Sequence, residues 1–273
     1  MHATWNYLVK RSNGGFAFVG LYMATSTVIY APFVIGLFFI RDITIGWVEV
    51  GFIIGTTIIH LAYSLTLQQG YKVGDLSIVY PVARGIAPIF VVILAIFIYD
   101  ETLSLLTIIG IIFITLSVFI LTGGLQIVQS KNTLKGLIYG IVIGVIIASY
   151  TILDKGAVSV FFISPLILQY GGTMGQFIFL LPYMLRHKDA VVKEWQTHRK
   201  EVIGVAILSP LAYILVLTVM IMTPVSYVAP LREISILIGV VMGAYLLSEK
   251  LGKRRIIAAT LMFIGVVAIA ISS

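Results

Sequence analysis

The chain has 273 residues, of which 60% are hydrophobic and 11% charged, with a net charge of +7 and no cysteine; its mean hydropathy is +1.09. A soluble domain carries about 25% charged residues and roughly 45–50% apolar ones, and a soluble core of this length cannot hide so much apolar side chain, because surface positions need polar cover. Soluble enzyme, disordered chain and nucleic-acid binder are therefore excluded as starting points, and disulfides, thiolate metal sites and cysteine nucleophiles are excluded outright; what remains is a polytopic membrane protein.

Residues 1–11 are mostly polar and aromatic, carry no cleavable signal pattern, and read as a partial first helix. Nine apolar runs follow, at about 16–40, 47–70, 77–99, 103–123, 134–153, 163–185, 202–222, 226–247 and 256–271. Each is long enough to cross roughly 30 Å of hydrocarbon, which takes about 20 helical residues. Helix is the conformation they must adopt, because an open chain in lipid has to pair its backbone groups internally. A β-barrel would show alternating segments of about ten residues instead. The fold class expected is thus an all-α integral membrane protein with nine full spans plus a short first helix, and no room is left for a soluble domain.

Small residues recur four apart at Gly136, Gly140 and Gly144, at Gly51 and Gly55, at Gly171 and Gly175, and at Gly239 and Gly243. Close backbone approach packs helices in lipid, where no hydrophobic force acts between them. Packing within one chain is the expected use of these glycines, and a dimer face the other, so the chain is expected to be a monomer or a homodimer. If 1–11 counts as the first helix, the odd-numbered loops hold fourteen Lys and Arg and the even-numbered ones only Arg41 and Lys155. The positive-inside rule then puts the odd loops in the cytoplasm. They include the polar stretch 186–201, expected to be a solvated loop, and the C-terminus falls on the outer face.

The sequence repeats itself. Leu61-Ala62-Tyr63 returns as Leu211-Ala212-Tyr213, Ala83-Arg84 after Pro81 as Leu231-Arg232 after Pro230, and Asp100-Glu101-Thr102-Leu103 as Ser248-Glu249-Lys250-Leu251. Near the start, Ala3-Thr4-Trp5 with Lys10 matches Ala148-Ser149-Tyr150 with Lys155. Two copies of a five-helix unit, residues 1–130 and 131–273, account for this spacing. Five is odd, so the second copy enters the membrane from the opposite side. The result is an inverted 5+5 repeat, an architecture of secondary transporters whose substrate site lies near the bilayer midplane. The second copy's first helix begins near Gly136, about a dozen residues before Ala148, whereas Ala3 stands almost at the start of the chain. The first copy is therefore expected to lack roughly ten residues upstream of Met1.

The runs His2-Ala3-Thr4-Trp5-Asn6 with Lys10-Arg11, and Tyr80-Pro81-Val82-Ala83-Arg84-Gly85, resemble the first repeat of EamA-type carriers of the drug/metabolite transporter superfamily. Tyr227-Val228-Ala229-Pro230-Leu231-Arg232-Glu233-Ile234-Ser235, with Ser248-Glu249-Lys250-Leu251, resembles the second. The resemblance covers essentially the whole chain. It implies ten helices and gradient-coupled or exchange transport of a small molecule, with substrates ranging from amino acids to drugs and nucleotide precursors.

Several residues are candidates for the substrate cavity. Arg84 and Arg232 stand just inside apolar spans at matching places in the two repeats. Ionisable groups in a bilayer are expensive and usually face a cavity or a partner. Either these two create a positive field that attracts an anionic substrate, or they snorkel to the interface. Glu233, the acid placed within an apolar span, either neutralises its neighbour Arg232 or acts as a proton site. The structural pair is the favoured expectation. Trp5, Asn6, Tyr63, Tyr80, Tyr150 and Tyr213, with Gln169 and Tyr170, are candidates to line the cavity, or are packed core and interface residues. His60, mid-span, is a second proton-coupling candidate. Pro81, Pro88 and Pro230 are candidate kinks, because each removes a helix hydrogen bond. Glu101 and Glu249 precede helices and are expected to cap them. No organic cofactor and no metal is expected, and the enzyme signatures of metalloproteases, phosphate-binding loops and hydrolases are absent. The function expected is a secondary transporter of a small metabolite in the cell membrane, exporter or exchanger. A non-transporting membrane sensor or scaffold is the alternative.

Overall fold

The computed structural model describes residues 4–5, 8–9, 12, 15–41, 43–73, 76–122, 133–235, 238 and 253–272. Its helices are α1 Phe16–Ile40, α2 Trp47–Val73, α3 Leu76–Tyr99, α4 Leu105–Thr122, α5 Thr133–Ser159, α6 Pro165–Arg186, α7 Lys188–Met222, α8 Val225–Leu231 and α9 Lys253–Ser272. No strand occurs among the described residues. By length and composition α1, α2, α3, α5 and α7 each suffice to cross a membrane, and α4 and α9 contain shorter apolar helices. Phe39, Trp47, Phe97 and Met222 are almost fully exposed. In water such a surface would aggregate; in lipid it is the expected contact.

The helices follow the apolar runs closely at α1 to α4, α6 and α9. The run expected at 226–247 opens as the short α8, which ends at Leu231, and two other stretches are helical beyond the expected spans. α5 runs six residues past its expected end at Leu153, to Ser159. The stretch expected to be a solvated loop, 186–201, is instead the opening of α7, which continues to Met222 with non-helical backbone at His198. Its helicity has a physical reason. Val191 and Trp195 lie on one face, four residues apart, and Trp195 packs on a core of Phe18, Val202 and Val205. Glu194 and His198 pair four apart at 2.8 Å. The polar residues that made this stretch look like a loop are the exposed face of an amphipathic helix.

The chain forms two compact units, Met1–Ile58 with Leu153–Met222, and Ile59–Ile152 with Thr223–Ser273. Each takes chain from both sequence repeats. α2 and α5 are continuous, and each passes from one unit into the other.

In the first unit α1 packs on α6 and α7. The glycines expected to pack helices do so here. A Cβ on Gly171 would lie 2.8 Å from the Ile53 side chain, and one on Gly175 2.6 Å from Thr57. The absence of side chains lets α6 approach α2.

In the second unit α4 packs along α9. The two helices occupy equivalent places in the two repeats, and they run antiparallel. Thr107 near the start of α4 shares a hydrogen bond with Ser272 at the end of α9, 2.8 Å. Ser117 donates to the Ala258 carbonyl at 2.5 Å, and Arg254 at the start of α9 donates to the carbonyl of Ile120 at 2.6 Å. The contact is reciprocal: a Cβ on Gly110 would lie 2.7 Å from the Gly265 carbonyl, and a Cβ on Gly265 2.7 Å from that of Gly110. Equivalent helices that are antiparallel and exchange identical contacts are what inverted copies produce.

Candidate functional site

The second unit holds the sequence-nominated charges. α3 carries Arg84, and α8 packs against it. Pro230 lies in the last turn of α8, which ends at Leu231. The backbone then tightens, with Glu233 N–H donating to the Pro230 carbonyl at 3.0 Å and Ser235 N–H to the Arg232 carbonyl at 3.2 Å. Both are three-residue rather than four-residue spacings, as where a helix gives way to a 3₁₀ turn. That turn carries Glu233, which is buried, with 4% of its surface exposed. Its Oε1 accepts from Arg84 Nη1 at 3.3 Å. This contact with Arg84 is one that the sequence did not suggest beside the expected pairing with Arg232. The partner recorded is Arg84, 149 positions away, because the turn after Pro230 directs the carboxylate toward α3. The contact is single and long rather than bidentate, and Glu233 Oε2 has no hydrogen-bond partner among the described residues. A buried carboxylate held by one contact of this length recovers little of its desolvation cost.

An aromatic group lies in the same unit. His60 of α2 stacks on Tyr150 of α5 with ring centres 4.1 Å apart and planes at 29°. Tyr63 meets Tyr150 edge-on at 6.1 Å. Three sequence candidates are therefore together, and two of them, Tyr63 and Tyr150, come from different repeats.

The remaining candidates disperse. Trp5 packs beside Phe18, Val202 and Val205 in the first unit, which is the core reading of that residue. Tyr213 lies on α7 in the first unit. Pro88 sits within α3. Arg232 occupies the turn after α8, its N–H donating to the Val228 carbonyl at 3.1 Å. Asn6 lies outside the described residues, as do Glu249 and the side chains of Tyr80 and Pro81.

Two functional-looking features escaped the sequence reading. Asp154 and Lys155 had been left after a span, yet α5 carries both into a buried environment, with 0% and 8% exposed. Tyr213 Oη donates to Asp154 Oδ2 at 2.5 Å, and Lys155 Nζ donates to the Met220 carbonyl at 2.7 Å. Met220 lies in the last turn of α7, where carbonyls lack helical partners and a cation is favoured. The missed signal was the apolar run resuming as Gly156-Ala157-Val158 after the charged pair. Glu101 does cap a helix, but not the one that follows it. Its carboxylate accepts from Val225 N–H at 2.8 Å, Ser226 N–H at 3.0 Å and Ser226 Oγ at 2.5 Å, at the N-terminus of α8. Ser104 caps α4 instead, accepting from Thr107 N–H at 3.1 Å.

A cavity of about 360 Å³ in the first unit is lined by Leu37, Arg41, Glu49, Phe162, Pro165 and Ile221 among others, and none of the nominated residues borders it. Among the described residues no group of three His, Cys, Asp or Glu is placed to hold a metal.

A helical membrane protein with buried charges among its apolar helices is the kind of molecule that moves polar solutes through lipid. The chain belongs to the EamA-like transporter family, which its sequence matches over residues 134–271. It is therefore a multi-pass membrane transporter of the drug/metabolite kind. One crystal structure of a protein, 16% identical, aligns over 100% of this chain and 95% of its own, with a TM-score of 0.77. At that identity the likeness shows the fold, and 28 solved chains share it at this level of significance. No curated protein matches.

Proposed function

We propose that this chain is a secondary transporter of the cell membrane that exports or exchanges a small metabolite by alternating access, without enzymatic activity, organic cofactor or metal. Arg84, Glu233 and Arg232 supply its charged substrate contacts, and the His60–Tyr150–Tyr63 group supplies a stacking surface. The observation that carries this reading is the Arg84–Glu233 pair. A buried carboxylate in the turn after α8 meets a half-buried guanidinium on α3, with one carboxylate oxygen unpartnered among the described residues. A pair held for stability alone would be replaced by apolar side chains at little cost. A pair that exchanges partners with a ligand has to keep both charges. An anionic or zwitterionic solute replaces the weak internal contact with a bidentate one to the guanidinium.

The test has two stages. Thermal-shift screening of the purified protein against a metabolite library identifies a ligand, and counterflow in proteoliposomes measures its transport. Arg84→Ala is expected to abolish counterflow while expression and melting temperature stay near wild type. Arg232→Ala, at the repeat-equivalent position, is expected to do the same. Unchanged flux in either variant removes that residue from the mechanism.

A further inference from the structure

Asp154 is a fully buried carboxylate in the first unit, outside the charged pair just described, and neither the family nor the fold assigns it a role. Its setting is specific. It is the second residue of α5 inside that unit, after the helix has left the other. Tyr213 of α7 donates to it at 2.5 Å. The next residue, Lys155, places its ammonium on the Met220 carbonyl at the end of the same α7. Adjacent Asp and Lys bring opposite charges to the site, and each is buried.

The sequence repeat separates what the fold needs from what it does not. Lys155 is matched by Lys10, but the position before it is Val9 in the first copy and Asp154 in the second. Val9 packs against the Phe18, Val202 and Val205 core. An apolar residue thus satisfies the helix at this position, and the carboxylate is an addition specific to the second copy. Tyr213 tells the same story. Its counterpart Tyr63 meets an aromatic ring, whereas Tyr213 turns its hydroxyl to an acid.

We propose that Asp154 is where this transporter takes up and releases a coupling proton, with Tyr213 holding the carboxylate in place. An aqueous proton adds to a carboxylate oxygen to give the neutral acid, and the reverse step returns it to water. Uptake adds one positive charge to the site, with the Lys155 ammonium retained on the Met220 carbonyl. A metal cation is disfavoured there, because the ammonium repels it and one carboxylate is the sole acid at the site. Among the described residues of the unit, other titratable groups have partners of their own. Tyr30 of α1 donates to the Ile207 carbonyl, and Glu49 lies in the exposed first turn of α2. α6 carries Tyr170 and Tyr183, the latter stacked on His187, beside the non-titrating Gln169, Thr173 and Gln176. Glu201, the remaining buried acid of α7, lies twelve residues before Tyr213, roughly 18 Å along the helix. The inference rests on the family's transport activity and not on the Arg84 site.

Proton binding to a membrane-embedded carboxylate displaces charge, so it is read directly, without substrate, as a transient current. Proteoliposomes of the full chain on a solid-supported membrane, stepped in pH, are expected to give such a transient. It should be retained in the control Glu49→Gln and fall to the protein-free level in Asp154→Asn. Asp154→Glu, which keeps the carboxylate, is expected to retain it with its midpoint displaced along the pH axis. That variant decides the matter if Asp154→Asn does not assemble. No transient in wild type, a wild-type transient in Asp154→Asn, or an unmoved midpoint in Asp154→Glu overturns the proposal. A transient that depends on Asp154 in a protein with no ligand in the metabolite screen would uphold this site while defeating the Arg84 reading.

Discussion

A carboxylate in this protein acts where its geometry takes it, which need not be where its neighbours in sequence lie. Glu101 is the clearest case. It looked like the cap of the helix beginning a few residues later, and it caps α8, 124 positions away, with three hydrogen bonds. Glu101→Ala removes all of them, and N-cap losses typically cost about 0.5–2 kcal/mol, so melting in detergent should occur at lower temperature than wild type. An unchanged melting temperature would mean that water replaces the cap. Just before it, Asp100 holds φ at 51°, a conformation that glycine adopts without a Cβ penalty. Asp100→Gly is expected to be neutral or to stabilise by up to about 1 kcal/mol, the opposite sign within one residue. Tyr213→Phe removes the donor to the buried Asp154. It should cost about 1.5–3 kcal/mol, the usual worth of a hydrogen bond to a charged group, also read by melting.

At the scale of elements, the two glycine-lined contacts are not equivalent to every glycine in a span. A Cβ on Gly110 or Gly265 would lie 2.7 Å from the other's carbonyl, while a Cβ on Gly51 meets nothing within 4 Å. Gly110→Ala has to push α4 from α9 and is expected to destabilise by roughly 1–3 kcal/mol. Gly51→Ala should be neutral or slightly stabilising through helix propensity. Equal melting shifts for the two would contradict the packing account. Much of the helical layout was legible because the apolar runs and their punctuation are set by the same lipid thickness that sets helix length. The two helical extensions share a cause. Asp154-Lys155 and the stretch containing Lys193, Arg199 and Lys200 were read as loops because they are charged, yet one pair neutralises itself within a buried helix and the other stretch presents its charges from one face. Of the candidate site, Arg84 and Glu233 were legible as intramembrane charges. Their pairing was not, since it depends on a turn that aims the carboxylate across 149 positions of chain. Asp154 was invisible until α5 was seen to continue.

For the whole molecule, the sequence repeat and the compact units divide the chain differently. Each unit combines segments of both copies, and α2 and α5 belong to both units. Orientation is open to a direct check, because the chain has no cysteine. Thr197→Cys, exposed on α7, should react with an impermeant thiol reagent only in inverted vesicles, since the Lys and Arg balance places that segment in the cytoplasm; labelling from the outer side of intact cells would reverse the topology. The central claim, that the chain carries a solute and that Arg84 engages it, is tested most directly by counterflow of the screened ligand in proteoliposomes of wild type and Arg84→Ala at matched melting temperature. The account predicts accumulation by wild type above protein-free vesicles and none by the variant. A ligand that stabilises the protein but is never moved across the membrane would contradict it and make the chain a sensor.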